Sequence, residues 1–393
     1  MSERKLVTLR DITDIQPIEG ADKIEVATIG GWKVVVKKGE YYVGQKVFYA
    51  EIDSMLPLDR GYFAFLRERG VKVQDGKEYH RLKTVKLRGQ ISQGIIFPHT
   101  IASANPRAQW DEKGAYPISK DLEGNDCSPY LGPDYVCDKE LDIFDNHDGD
   151  YSEYFGVVKY EPGEFQGKSR PWPSFVEKTD EERIQNLPGL LETLNPSEWY
   201  ATEKIDGTST TLYALREEEG YKFGVCSRNL EVEEEEGNLY WRIAKQSKLF
   251  DLMREYLDIN QNVKTIALQG ETFGPGIQGN PLGMKEQKLL LFTVQVDGER
   301  LNRKQIWEDY TLHTLSSPDY WVPTHPVSLS KDMDEMIAMT DGMKTQVLGA
   351  NIDAQIEGLV WRKTDSAKQE YKGKIINASF KCISNKYLLK HDG

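Results

Sequence analysis

Lys204 stands in the stretch YATEKIDGTSTTLYAL, with Asp206 two residues on and Gly207 after it. A lysine amine attacks phosphorus or carbonyl carbon only as the free base. Desolvation or nearby positive charge must therefore bring its pKa down from about 10.4. The stretch reads as strand, tight turn, strand, with Thr and Ser suited to a pocket wall. Other stretches carry matching chemistry. LQGETFGPG puts Glu271 at a strand end, and QIEGLVWRK puts Glu357 before Gly358. ASFKCIS sets Lys381 in a β-branched and aromatic run, where an inward ammonium needs an anionic partner. CSRN offers Arg228, and LLLFTVQV offers Phe292 on a buried strand. Lysine and arginine suit a polyphosphate, acids suit the divalent cation that accompanies it, and an aromatic suits a nucleobase face.

The elements that must hold these residues follow from periodicity. From residue 198 short strands alternate with two helical patterns, LYWRIAKQSKLFDLMREYL and DMDEMIAMTDGM. This predicts an α+β domain of antiparallel sheets facing a cleft. Thr179 with Glu182 three residues on predicts a capped helix over KTDEERIQNLPGLLETL, ended or bent at Pro188 and carrying Arg183. The acidic run Glu233 to Glu236 reads as a solvated loop. Residues 5 to 98 give several short strands between Gly and Pro turns, the pattern of a small OB-type barrel. Between about 100 and 175 the pattern dissolves into Pro, Gly and acids. The expected division is an OB-like domain over 1–100, an acidic linker or insertion over 101–165, and a catalytic domain over 166–393.

Bulk composition narrows the function classes. The net charge of -13 argues against sequence-blind coating of nucleic acid. Two basic islands stand out, one over residues 72–90 and one from 362 onward. The four cysteines, Cys127, Cys137, Cys226 and Cys382, form no CxxC pair, which argues against a zinc site or disulfide framework. The MSERKLVTL start is not a secretory signal, and no apolar run approaches the ~18 residues of a membrane helix. The expectation is a soluble intracellular protein without a membrane partner, cytoplasmic or nuclear, with reduced thiols.

In order along residues 200–386, EKIDG, SRN, GETFG, LLLFTV, IEGLV and SFKCIS resemble the successive motifs of the covalent nucleotidyltransferase superfamily of polynucleotide ligases and capping enzymes. More narrowly, the chain resembles the ATP-dependent RNA ligase branch sometimes called RNA ligase 5, with an N-terminal OB domain. The resemblance spans nearly the whole chain except about 100–155. It implies that Lys204 takes AMP from ATP, that AMP passes to an RNA 5′-phosphate, and that a 3′-hydroxyl then displaces it. It further implies that Asp206, Glu271 and Glu357 hold Mg2+ or Mn2+, that Lys381 contacts the α-phosphate, and that Arg228 contacts ribose or phosphate. By the same resemblance Glu203 faces the adenine, Phe292 stacks on it, and Arg183 grips the pyrophosphate. Arg81, Lys83, Lys86 and Arg88, with Lys386, are the implied RNA contacts, on RNA ends such as those of a nicked duplex in repair. No obligate protein partner is implied, and a monomer is expected. The last motif departs from the superfamily's usual pair of lysines one residue apart, because Ile383 fills the second position. Two alternatives stay open: a capping-type guanylyltransferase using GTP, and an inactive module that binds RNA ends.

Overall fold

The computed structural model describes residues 4–98, 149–160 and 167–391. The chain divides into two units, Met1–Pro162 with the last three residues, and Gly163–Lys390.

In the first unit the β-branched runs form a five-stranded antiparallel sheet. Its order is Ile95–Pro98, Lys46–Ala50, Val7–Pro17, Ile24–Ile29, Trp32–Lys37. A four-stranded sheet has the order Val158–Lys159, Ser54–Pro57, Lys77–Arg81, Lys72–Gln74, and a hairpin joins Thr84–Leu87 to Gln90–Gln93. Inward residues of alternating strands, among them Leu9, Phe48, Leu56 and Phe97, share one core with Phe63 and Phe155. This meets the expectation of a small β-barrel.

Part of the segment expected as a linker is described. Residues 149–160 belong to the first unit: Tyr151, Phe155 and Val157 are core residues there. The Ser152 hydroxyl accepts from the Leu6 and Val7 amides at 3.2 and 3.1 Å, and the Tyr151 amide donates to the Val7 carbonyl. Aromatic anchors at 151, 154 and 155 outweigh the acidic surroundings that signalled a linker. The remainder of the proposed linker, including Cys127 and Cys137, lies outside the described residues.

The second unit is built on two sheets. The larger is antiparallel, in the order Ser169–Pro171, Leu230–Val232, Gly220–Cys226, Thr208–Glu217, Thr265–Phe273, Lys288–Val296, Glu299–Arg300. Helices Leu239–Ser247 and Leu249–Ile259 cover one face, burying Tyr240, Ala244, Met253 and Leu257. They are two helices rather than the single periodic run, because Lys248 takes a left-handed conformation (φ 57°) between them. The smaller sheet has the order Glu182–Arg183, Ser379–Ile383, Gly358–Lys363, Trp199–Lys204, Thr324–His325. Its back face packs Trp199, Trp361 and Phe380 against the Met333–Thr340 helix, whose N-cap Asp332 accepts from the Glu335 amide.

The capped helix predicted from Thr179 does not form. Glu182–Arg183 instead pairs in parallel with Phe380 and Lys381, a 3-10 turn follows at Ile184–Asn186, and a short helix at Leu190–Thr193. Edge pairing and burial of Ile184, Leu187, Leu190 and Leu191 override the local capping signal. The acidic run Glu233 to Glu236 is a surface loop whose acids meet cations: Arg170 with Glu233 at 3.0 Å, Lys168 with Glu235 at 3.3 Å, and Lys245 with Glu234. Among the described residues no helix is long and apolar enough to cross a membrane.

Candidate active site

Strand register places the site. Lys204 ends the Trp199–Lys204 strand directly opposite Gly358, and Val360 lies opposite Lys381 on the next strand. Period-two alternation therefore puts Lys204, Val360, Arg362 and Lys381 on one sheet face. Arg183, paired with Lys381, joins that face. Two glycines make the close approaches possible. A Cβ on Gly358 would meet the Cys382 carbonyl at 2.2 Å, and one on Gly207 would meet the Thr272 carbonyl at 2.4 Å. The Lys-x-Asp-Gly spacing thus needs glycine because the chain after Asp206 runs hard against the strand that carries Glu271.

Lys204 Nζ donates to Glu357 Oε2 at 2.6 Å. Burial pushes this ammonium's pKa down, but the charges of Glu357, Glu271 and Asp206 outweigh it, and the net direction is up. The uncharged amine expected from sequence is not the resting state: three acids surround Lys204 and hold its proton. Burial, with Glu357 and Asp206 nearby, pushes the Glu271 carboxyl up to about 8, although Lys204 and Arg228 oppose this. Burial likewise pushes Glu357 up. The pocket thus holds more carboxylate than its cations neutralise.

Among the described residues no group of three His, Cys, Asp or Glu side chains is gathered so as to hold a metal ion unaided. The triad Asp206, Glu271 and Glu357 is therefore not a ready-made cage. Asp206 is engaged elsewhere, accepting from the Tyr387 hydroxyl at 2.8 Å. The arrangement fits a small hard cation better than a caged one. Mg2+-type ions are commonly held by one or two carboxylates plus phosphate oxygens and water. Glu271 and Glu357, buried beside Lys204, are the carboxylates suited to that role.

Lys381 Nζ donates to Asp180 Oδ1 at 3.4 Å, and Arg228 Nη2 lies 3.9 Å from the same carboxylate. Asp180, which sequence reading missed, thus sits between two cations assigned to phosphate. Nothing in its local sequence marks it, since its partner Lys381 lies 201 positions away.

Glu203 is held inside the protein. Its side chain has no exposed surface. It accepts from Thr345 Oγ1 at 2.6 Å and the Gln346 amide at 2.9 Å, and lies 3.1 Å from His325 Nε2. Adjacent strand residues point to opposite faces, so a carboxylate next to Lys204 turns into the protein. Phe292 is half-buried and packs beside Ile205, Phe273 and Leu290, with the Arg362 guanidinium 5.6 Å from its ring centroid. Arg183 is 7% exposed and is near enough to lower the Glu357 pKa, but it stands on an edge strand, not a helix.

In the first unit Arg81 is held by an acid and an aromatic ring. It pairs with Asp53 at 2.8 Å and lies 3.9 Å over the Tyr160 ring, with its side chain 13% exposed. That is a structural role, supplied by the segment at 149–160. Lys83 is half-buried, whereas Lys86 and Arg88 stand exposed on the Thr84–Gln93 hairpin, beside exposed Val85 and Leu87. Lys386 is exposed on the C-terminal helix Asn385–His391.

A family model described as RNA ligase matches residues 197–383, and one described as an OB-fold domain matches residues 6–99. A mutant Naegleria gruberi RNA ligase in its apo form is 31% identical, with a TM-score of 0.75, covering 100% of this chain and 99% of that one. The chain belongs to the RNA ligase family. Two further mutant forms of the Naegleria gruberi RNA ligase, one with AMP and Mn and one with ATP and Mn, are each 30% identical. Their TM-scores are 0.75 and 0.74, and each alignment covers 99% of both chains. Comparison with curated proteins gives no match. Within the RNA ligase family, the OB-fold match corresponds to the first unit and the RNA ligase match falls wholly in the second.

Proposed function

We propose that the protein is an ATP-dependent RNA ligase that joins 3′-hydroxyl and 5′-phosphate ends, as at nicks in duplex RNA, and serves RNA repair. The observation that carries this reading is the Lys204–Glu357 pair, set beside Glu271 and on one sheet face with Lys381. Family membership and the ATP, AMP and Mn complexes of the Naegleria gruberi enzyme support it.

Lys204 acts as nucleophile. Its Nζ forms a bond to the α-phosphorus, the bond from that phosphorus to the pyrophosphate oxygen breaks, and pyrophosphate leaves. The ammonium proton must depart first, and Glu357, 2.6 Å away, is the base placed to share it. A divalent cation on Glu271 and Glu357 would supply charge neutralisation of the α-phosphate and would weaken the hold of those acids on the Lys204 proton. Lys381, Arg228 and Arg183 provide positive charge for the phosphates, with Asp180 holding Lys381 and Arg228 before substrate arrives. Phe292 offers its ring to the base. AMP then passes from Lys204 to the oxygen of an RNA 5′-phosphate, and the 3′-hydroxyl of the neighbouring end displaces AMP. Each step is in-line substitution at phosphorus, so positioning and charge stabilisation carry the catalysis.

Lys86 and Arg88, exposed on their hairpin, are the RNA-phosphate contacts of the first unit, and Lys386 is a further one in the second unit. The protein works as a monomer. Incubation with α-labelled ATP or GTP and Mg2+ or Mn2+, followed by denaturing electrophoresis, tests the proposal. Label transferred from ATP and chased into nicked RNA duplex is the expected result. Label from GTP alone would identify a capping-type enzyme, and RNA binding without label would identify an inactive end-binding module.

A further inference from the structure

Away from Lys204, towards the start of its strand, the second unit contains a cluster of cations that the ligation chemistry leaves unused. Tyr200 lies on the same strand face as Lys204, about 13 Å along it at 3.3 Å per residue. Beside Tyr200 is a cavity of about 40 Å³, whose lining includes Arg300, Arg303, Trp321, Arg362 and Lys363, with Phe292 at its border to the nucleotide site. Among the described residues its lining contains no Asp or Glu.

The guanidinium faces are occupied, but their edges are not all satisfied. Arg303 Cζ lies 3.8 Å from the Trp321 ring centroid, and Arg362 Cζ lies 5.6 Å from that of Phe292. Arg303 also hydrogen-bonds to Tyr200. Arg362 donates from Nη1 to Glu181 at 3.1 Å. The Nε and Nη2 of Arg300 and the Nε of Arg362 are shielded from solvent and have no hydrogen-bond partner among the described residues. Buried donors of this kind are nearly always paired, with protein, water or a ligand. Charged donors gain most from a charged acceptor, and the guanidinium fork matches oxyanion geometry. A volume of about three water-sized spheres suits a small ion.

We propose that this arginine pocket binds a free tetrahedral oxyanion, inorganic phosphate or sulfate, through Arg300 and Arg362. The proposal is independent of the reading of Lys204. The ion supplies an acceptor to the unpaired donors of Arg300 and Arg362 and fixes Arg362 beside the Phe292 ring.

Two measurements test it. Crystals of the full chain grown with selenate should show an anomalous peak within hydrogen-bonding distance of Arg300 and Arg362. In solution, thermal unfolding is followed against sulfate at constant ionic strength, with chloride as the replaced anion. Sulfate stabilisation should persist in Lys381→Gln, which weakens the other anion site. In Arg300→Gln the sulfate concentration for half the shift should rise at least tenfold. AMP should not substitute for sulfate. Water alone in the cavity, a selenate peak confined to the neighbourhood of Lys204, or equal sulfate response in Arg300→Gln would each overturn the proposal. Displacement of selenate by adenosine would overturn it too, since the cavity would then be the base end of the nucleotide cleft. If Arg300→Gln does not fold, the selenate crystal of the unaltered chain decides.

Discussion

Lys204, at the end of its strand, meets Glu357, just before the antiparallel neighbour, amine to carboxylate at 2.6 Å, although the two lie 153 positions apart in the chain. A partly buried ion pair of this kind is strongly coupled to its neighbours, and removing either member leaves a charge without its counterpart. Lys204→Ala should therefore abolish lysyl-AMP formation, with a loss of at least about 10³-fold. The protein should still fold, because the strand's core contacts are made by Trp199 and Ala201. Labelling with α-labelled ATP, together with circular dichroism, checks both parts.

Glu271 sets a pH dependence. Its folded pKa is raised to about 8 from 4.5, so the native state keeps a proton that the unfolded chain releases. Without divalent ion, stability should fall as pH rises between about 4.5 and about 8, because the native state binds more protons in that window. Glu271→Gln should flatten the slope. Protons and cation also compete for this carboxylate, so half-maximal adenylylation should need more Mn2+ at pH 6.5 than at pH 8.5. Thermal melts in chelator and Mn2+ titrations at the two pH values are the measurements.

Tyr387 should act as a positioning residue. Its hydroxyl fixes Asp206 from the C-terminal helix at 2.8 Å. A hydrogen bond to a charged group contributes about 1.5–3 kcal/mol. Tyr387→Phe should slow adenylylation by roughly tenfold or more, with a smaller change in the ATP KM. A purely structural role would instead lower the Tm and leave kcat untouched.

The Glu203 network predicts a stability effect rather than a base-recognition effect. His325→Ala removes a neighbour of a fully buried carboxylate and should cost about 2–3 kcal/mol. ATP-over-GTP preference should be unchanged in that variant. Denaturant unfolding and competition labelling separate the two.

Gly358→Ala should be among the most damaging small substitutions, because the added methyl meets the Cys382 carbonyl at 2.2 Å. Strands must separate beside Glu357, at a cost of about 1–3 kcal/mol. Chemical denaturation should show the loss, with adenylylation falling alongside it.

Strands were legible in the sequence because their signal is local. Runs such as TSTTLYALRE and KLLLFTVQV carry β-branched and apolar residues in a two-residue rhythm, and both are strands. Lys204, Glu357 and Lys381 were legible as chemistry because each stands at or within such a run. What stayed hidden depends on distant partners. Asp180 gains its place from Lys381 and Arg228, Tyr387 from Asp206, and Arg81 from Asp53 and Tyr160. The surroundings of Glu203 stay hidden too, because a motif position says nothing about the Thr345 and Gln346 loop folded over it. The expected helix at Thr179 failed for the same reason, since the decisive partner, the Ser379–Ile383 strand, lies near the far end of the chain.

The return of residues 149–160 to the first unit bears on how the chain is made. Val7 cannot satisfy its amide and carbonyl bonds to Ser152 and Tyr151 until the ribosome has released the segment carrying them. During synthesis the barrel's early strands therefore wait, with Phe48 and Phe97 lacking the cover of Phe155, while the whole intervening stretch is translated. Nascent chains stopped before Tyr151 should recruit holding chaperones, and chains stopped after Tyr160 has cleared the exit tunnel should not.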